Sequence, residues 1–244
     1  MANPTAAMLV IGDEILSGRT RDANMHFLSR SFAAHGIDLY EARVVRDEAA
    51  AIVGALNALR EAYDIVVTSG GIGPTHDDIT ADCVACAFGV EIGHREDAMA
   101  LLAAHYKAQG KEFNAARQRM ARIPKGARLI ENSVSIAPGF SLGNVHVLAG
   151  VPAVFQAMVE ALLPGLGQGR AVISRSLRIE RGEGEIAAPL AELAGAYDDL
   201  TFGSYPFEED GFHGANIVIR GSDADMIEAA LGRLCFIFNG SENV

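Results

Sequence analysis

Residues 65–80 read Ile65-Val66-Val67-Thr68-Ser69-Gly70-Gly71-Ile72-Gly73-Pro74-Thr75-His76-Asp77-Asp78-Ile79-Thr80. The apolar run Ile65-Val66-Val67 predicts a buried strand, and residues 81–88 beyond the loop predict a helix. Strand, glycine turn and helix start is an arrangement that receives phosphate or another anion. Glycines let backbone N–H groups approach the ligand, and the helix N-terminus adds positive partial charge. Asp77 and Asp78 stand at the same edge. A purely anion-binding loop disfavours two carboxylates, whereas a loop that holds phosphate through a divalent cation accommodates them. The stretch therefore predicts an α/β fold with a site for a nucleotide or pterin phosphate.

Working upstream, residues 6–11 form a short apolar run ending at Gly12 and predict a first buried strand. Asp22 is placed to cap a helix over 23–35 that stops at Gly36. A second strand is expected over 37–45. Asp47 then starts a helix with Ile52, Leu56 and Leu59 on one face. Strand, helix, strand, helix, strand implies a mainly parallel sheet covered by helices.

Working downstream, helices are expected near 81–88, 95–108 and 114–121, and strands over 127–131 and 145–148. Residues 135–140 read as a turn-rich connection, and Ala149-Gly150-Val151-Pro152 opens a helix reaching 163. Pro164-Gly165-Leu166-Gly167-Gln168-Gly169 is the best linker in the chain. It divides an α/β domain, 1–167, from a small α+β domain, 168–244, read as strand, helix, strand, strand, helix with an antiparallel sheet.

Half of the 244 residues are hydrophobic, enough for a sizeable core. The formal net charge of −11 disfavours a nucleic-acid partner or an anionic membrane surface. No apolar segment approaches membrane-spanning length, and no secretory signal is visible. Cys83 and Cys86 form a C-x-x-C pair without a second pair to complete a zinc set. On a helix both thiols are expected in the core. No disulfide framework is implied, which fits a reducing, cytoplasmic location.

The candidate chemistry lies at strand ends. Gly12-Asp13-Glu14 follows the first strand, and the Gly-rich loop follows the third. In doubly wound sheets such carboxyl ends share a ligand site. Asp13, Asp77 and Asp78 are therefore expected together, acting as metal ligands and catalytic groups. Three carboxylates in one mouth repel unless a cation sits among them or one stays protonated. Thr68, Ser69, Thr75 and Thr80 supply hydroxyls, Pro74 stiffens the loop, and Asn24 can point toward the mouth. His76 ranks below the aspartates because no partner for it is visible. The bland reading leaves Asp13 and Glu14 as exposed loop charges and Asp78 as a helix cap. The loop carries neither a Walker A sequence nor the dinucleotide fingerprint.

Together, Gly12-Asp13-Glu14, Asn24 and Gly70-Gly71-Ile72-Gly73-Pro74-Thr75-His76-Asp77-Asp78-Ile79-Thr80 resemble the molybdopterin-binding domain superfamily. Within it the similarity is greatest to the amino-terminal domain of the competence/damage-inducible CinA proteins. Residues 132–140 and 148–152 resemble that family's downstream pattern, and Phe202-Gly203-Ser204-Tyr205-Pro206 is similar to the small domain that follows it. The resemblance implies a three-layer α/β/α fold, homo-oligomers, and ligand-binding positions that include Gly12, Glu14, Asn24, Ser69, Gly70, Gly71, Gly73, Pro74, Thr75, Thr80, Gly150 and Pro152. It leaves no room for the nicotinamide-nucleotide deamidase domain of full-length CinA, so that activity is expected to be absent.

Two roles are implied. CinA-type domains are associated with hydrolysis of the diphosphate of ADP-ribose and related nucleotides, using magnesium, manganese or cobalt. The molybdenum-cofactor members bind molybdopterin and adenylate it or insert metal into it. Asp-Asp-Ile-Thr together with Gly-Asp-Glu looks more like the CinA branch. The family's Pro-Gly-Val-Pro-Ser-Glu-Met is here Ala149-Gly150-Val151-Pro152-Ala153-Val154-Phe155, lacking a proline and a carboxylate. The alternative is a molybdopterin- or nucleotide-binding protein without turnover.

Overall fold

The computed structural model describes residues 2–209 and 211–239. It divides into two compact units between Gly169 and Arg170, at the end of the Pro/Gly-rich stretch.

The first unit runs β1 (Thr5–Ile11), α1 (Asp13–Leu16), α2 (Asn24–His35), β2 (Asp38–Val45), α3 (Ala49–Ala62), β3 (Ile65–Ser69), α4 (Thr80–Phe88), β4 (Ile92–His94), α5 (Glu96–Ala108), α6 (Ala115–Gln118), β5 (Arg122–Pro124), β6 (Arg128–Ile130), β7 (Gly139–Leu142), β8 (Val145–Leu148) and α7 (Pro152–Leu162). Local chemistry sets the ends. Asp22 Oδ1 accepts the Met25 N–H at 2.9 Å at the start of α2, and Gly36 closes that helix in the left-handed conformation. Pro152 opens α7, where its fixed φ suits the first helical turn.

A six-stranded sheet has the order β2-β1-β3-β8-β7-β6. The strands β2, β1, β3 and β8 are parallel, while β7 runs antiparallel to both β8 and β6. Alternation along the strands sends Ala7, Leu9, Ile11 and Val66 to one face, with α3 and buried residues of α4 and α5. It sends Ala6, Met8, Val10, Ile65 and Val67 to the other, with α2 and α7. Strands buried on both faces read as continuous apolar runs, which is why β1 and β3 were legible. Ile52, Leu56 and Leu59 of α3 are fully buried at helical spacing. Each such side chain contributes roughly 1.5–3 kcal/mol through burial. The result is the predicted three-layer α/β/α fold.

Four details differ from the sequence reading. The turn-rich stretch 135–140 runs into β7, a four-residue strand too short to show alternation. A small two-stranded sheet, β4 with β5, stands apart from the main sheet. Cys83 is buried but Cys86 is exposed, because the inward stripe of α4 follows Thr80, Cys83 and Val84 and Cys86 lies off it. Burial pushes the Cys83 thiol up to about 11. Finally, α3 begins at Ala49, and Asp47 does not cap it.

The second unit contains β9 (Ile173–Ile179), α8 (Glu183–Ala194), β10 (Thr201–Glu209), β11 (Phe212–Gly221) and α9 (Ala224–Asn239). Its antiparallel sheet has the order β10-β11-β9. Ala215, Ile217 and Ile219 of β11 pack against Ile186 and Leu193 of α8 and Ile227, Ala230 and Leu234 of α9. Asp223 Oδ1 caps α9 by accepting the Met226 N–H at 3.0 Å. Among the described residues, no helix is long and apolar enough to cross a membrane.

Candidate functional site

From β1 the chain crosses to β2 on one side and then to β3 on the other, which opens a crevice at the carboxyl ends of β1 and β3. A cleft of about 480 Å³ fills it. Three of the loops that wall it are Gly12–Glu14 after β1, Gly70–Asp78 after β3, and Ala149–Pro152 after β8.

The loops approach closely because they are glycine-rich. Gly70 and Gly71 have φ of 106° and 70°, and a Cβ on Gly71 would lie 2.1 Å from Thr80 Oγ1. That hydroxyl donates to the Gly70 carbonyl at 3.0 Å. A Cβ on Gly150 would lie 3.3 Å from the Gly70 Cα, so two loop backbones touch there. Asn24 ties the same point from below: its Nδ2 donates to Ser69 Oγ at 2.9 Å and to the Gly150 carbonyl at 2.8 Å. Asn24, Ser69 and Thr80 are all buried. They brace the loops and are not wall residues of the cleft. Pro74 is exposed on the loop and likewise lies off the wall.

Thr75 is a meeting point for the paired aspartates. Its Oγ1 lies 2.5 Å from Asp77 Oδ1 and 2.6 Å from Asp78 Oδ2, and its N–H donates to Asp78 Oδ2 at 2.7 Å. One hydroxyl proton serves one carboxylate at a time, so the other contact is acceptor against acceptor until a proton or cation arrives. The Thr75 hydroxyl, and next the backbone N–H of Asp77 itself, hold the Asp77 carboxyl below the usual carboxylate range.

Asp13 lies outside the cleft proper, in a depression that Asp77 also lines and Asp78 does not. Asp13 Oδ1 accepts from Arg46 Nε at 3.0 Å, in an open depression beside the cleft. Gly12, Glu14, Gly70, Gly71, Gly73, Asp77, Asp78, Gly150 and Pro152 do line the cleft, and Asp77 and Glu14 border both spaces. The N–H of Gly70 is already taken by the Leu148 carbonyl at 3.2 Å, which removes it from the expected set of anion donors.

Asp47 and Asn132 are wall residues that the sequence reading did not place in the site. Asp47 lines the cleft, and its Oδ2 accepts the Asp13 N–H at 2.8 Å. Burial raises its pKa, and the nearby charges of Glu14, Asp13 and Asp77 add to the rise. The signal was available, since Asp47 follows the carboxyl end of β2 just as Asp13 follows β1. Asn132 forms the opposite lip: its Oδ1 accepts from the N–H groups of Val134 and Ser135 at 3.0 and 3.1 Å, and its Nδ2 donates to the Ala137 carbonyl at 2.8 Å. Within that turn Ile136 has φ 67°, the one positive value at a non-glycine among the described residues.

Among the described residues no three His, Cys, Asp or Glu side chains form a ready-made metal cage. The mouth nevertheless offers four carboxylates, from Glu14, Asp47, Asp77 and Asp78. Magnesium-class ions bind through one or two carboxylates plus phosphate oxygens and retain water, so this donor set fits such an ion.

With this geometry in place, comparison with known proteins is informative. Residues 7–168 match the family described as "Probable molybdopterin binding domain", and residues 171–241 match "FAD synthase, middle domain". A "Probable FAD synthase" of Caenorhabditis elegans is 30% identical, covering 94% of this chain and 49% of its own length. A "Putative competence-damage inducible protein" of Bacillus cereus is 30% identical, covering 84% of this chain and 52% of its own. The chain thus spans about half the length of these curated relatives. The crystal structure of the protein CinA with unknown function from Thermoplasma acidophilum superposes with a TM-score of 0.62 at 35% identity, covering 68% of this chain and 99% of that one. This chain belongs to the molybdopterin-binding domain family, in a CinA-like form followed by a unit that matches the FAD synthase middle domain.

Proposed function

We propose that the first unit binds a nucleotide- or pterin-type diphosphate in the cleft and hydrolyses its phosphoanhydride bond with the help of a divalent cation. One observation carries the reading: the glycine-rich loop after β3 and the carboxylates Glu14, Asp47, Asp77 and Asp78 share one crevice. An anion-receiving backbone beside an acidic edge is self-defeating without a cation and complementary with one.

In this reading Gly71 and Gly73 present backbone N–H groups to the diphosphate. Asp77 and Asp78, converging on Thr75, hold the cation edge, with Glu14 and Asp47 facing them. The cation, when bound, polarises the phosphoryl group and lowers the pKa of water. Asp47, with its raised pKa, is the carboxylate suited to take a proton from the attacking water. Ile72, Met120, Val151 and Val154 form an apolar wall for the flat ring of the ligand. The test is hydrolysis of ADP-ribose, FAD and related dinucleotides with magnesium, manganese or cobalt. Release of the two monophosphates is expected, and a folded protein that cleaves none of them overturns the reading.

A second reading, binding without turnover, rests on Val154. It occupies the position where the family pattern has glutamate, is 7% exposed, and lines the cleft. Nucleotide or molybdopterin binding by calorimetry without any hydrolysis would establish it in place of the first.

A further inference from the structure

We propose that Arg119 binds a phosphoryl oxygen of the cleft's ligand from behind the glycine-rich loop; this rests on the diphosphate reading above. Arg119 opens the 3-10 turn Arg119–Ala121, and its neighbour Met120 lines the main cleft. Behind the loop lies a second cavity of about 20 Å³, lined by Arg119 and Arg122 among others. Gly71, Ile72, Gly73, Asp78 and Met120 border both spaces, so the two adjoin along the loop segment 71–73.

Asp78, Asp82, Arg119 and Arg122 all line this cavity, but among the described residues only one ion pair forms between them. Arg122 is paired with Asp82. Arg119 is half-buried, and among the described residues no carboxylate lies within ion-pair reach of it. Its hydrogen bond is a long one, from Nη2 to the Asp78 carbonyl at 3.4 Å. The Nε atoms of both arginines are buried with no hydrogen-bond partner. A partly buried guanidinium without an anion is unfavourable, and its planar set of donors matches phosphate oxygens. The cavity admits roughly one water-sized group. The phosphorus atom therefore stays in the main cleft, and Arg119 meets a single oxygen where the two spaces adjoin. The same guanidinium holds the Asp78 carbonyl, so ligand and acidic edge are linked through one side chain.

The experiment measures binding of inorganic pyrophosphate with manganese to the wild type, Arg119→Gln and Arg119→Lys, alongside ligand-free melting. Arg119→Gln is expected to weaken binding roughly 10- to 100-fold, the equivalent of one charge-assisted hydrogen bond. Its ligand-free melting temperature should stay within about 2 °C of wild type, and Arg119→Lys should recover part of the loss. Unchanged pyrophosphate affinity in Arg119→Gln overturns the proposal. So does a loss in both variants that is accompanied by a lower melting temperature, which marks a structural role. If Arg119→Gln does not fold, Arg119→Lys decides, because it keeps the charge but lacks the planar fork: weaker binding supports the proposal and wild-type affinity overturns it. A wild type that binds neither pyrophosphate nor ADP-ribose overturns the diphosphate reading along with this one, whereas a wild type that binds beside an unaffected Arg119→Gln overturns this one alone.

Discussion

The backbone N–H of Asp13 donates to the carboxylate of Asp47 at 2.8 Å across 34 residues of sequence, joining the loops that leave β1 and β2. The bond fixes where α1 begins. It also places Asp47 among the charges of Glu14, Asp13 and Asp77.

Asp47→Asn keeps an acceptor for the Asp13 amide and removes the charge. The folded-state pKa of Asp47 lies above its unfolded value, so its cost to stability sets in as pH rises through the carboxylate range and is complete at neutrality. The variant should be more stable than wild type at pH 7, with no gain at pH 3. It should also lose stabilisation by manganese. Urea unfolding at the two pH values checks this, and a variant less stable than wild type at pH 7 refutes it.

Asn24 is a buried staple between β3 and the loop after β8. Asn24→Ala removes two hydrogen bonds and strands the Gly150 carbonyl. A loss of about 2–3 kcal/mol is expected in denaturant unfolding. Asn24→Asp should be worse, since it deletes both donors and buries a carboxylate beside a carbonyl oxygen. If aspartate is tolerated better than alanine, the staple account fails.

Gly71→Ala meets two obstacles: φ of 70°, and Thr80 Oγ1 at 2.1 Å from the new Cβ. Thr80 must then release the Gly70 carbonyl, and the loop must shift. Ligand affinity should fall at least tenfold, with stability lowered by about 1–3 kcal/mol. Calorimetry on the variant measures both, and affinity equal to wild type argues against this loop as the anion site.

His146 lies on β8 opposite Ser141 of β7, with Nδ1 and Oγ 2.8 Å apart. Burial, and next the charge of Arg128, push its pKa down to about 4 from the ordinary 6.5. The unfolded chain binds a proton in this interval and the folded chain does not. Stability attributable to His146 is therefore complete above pH 6.5 and is lost as pH falls toward 4, by about 3 kcal/mol. The difference in unfolding free energy between wild type and His146→Gln should change with pH across this window. A constant difference from pH 4 to 7 refutes the assignment.

The main architecture was legible because the parallel strands are unbroken apolar runs and the helices are punctuated by Asp22, Gly36 and Pro152. β7 was not, since four residues beside a Pro-Gly turn carry too little periodicity to separate strand from loop. The outer end of the β10–β11 hairpin was not legible either, because Phe207-Glu208-Glu209 pairs through its backbone with Phe212, His213 and Gly214 without the apolar pattern of a buried strand. At the site, the glycines and paired aspartates announced themselves by type and spacing. Asp47 and Arg119 did not, because a charged residue next to a helix start, or inside a basic segment, looks like a cap or a solvated face. Tertiary placement shows that one lies among three other carboxylates and that the other has none within ion-pair reach.

Ile136 sits in the left-handed region, held there by the turn that Asn132 organises and by its own N–H, which donates to the Asn132 carbonyl at 3.1 Å. A β-branched side chain resists that backbone by roughly 1–3 kcal/mol. The far jaw of the cleft is therefore spring-loaded, with Asn132 as its catch. Trading isoleucine for glycine would unload the spring, and comparing ligand release rates before and after would reveal whether this tension helps the jaw let go.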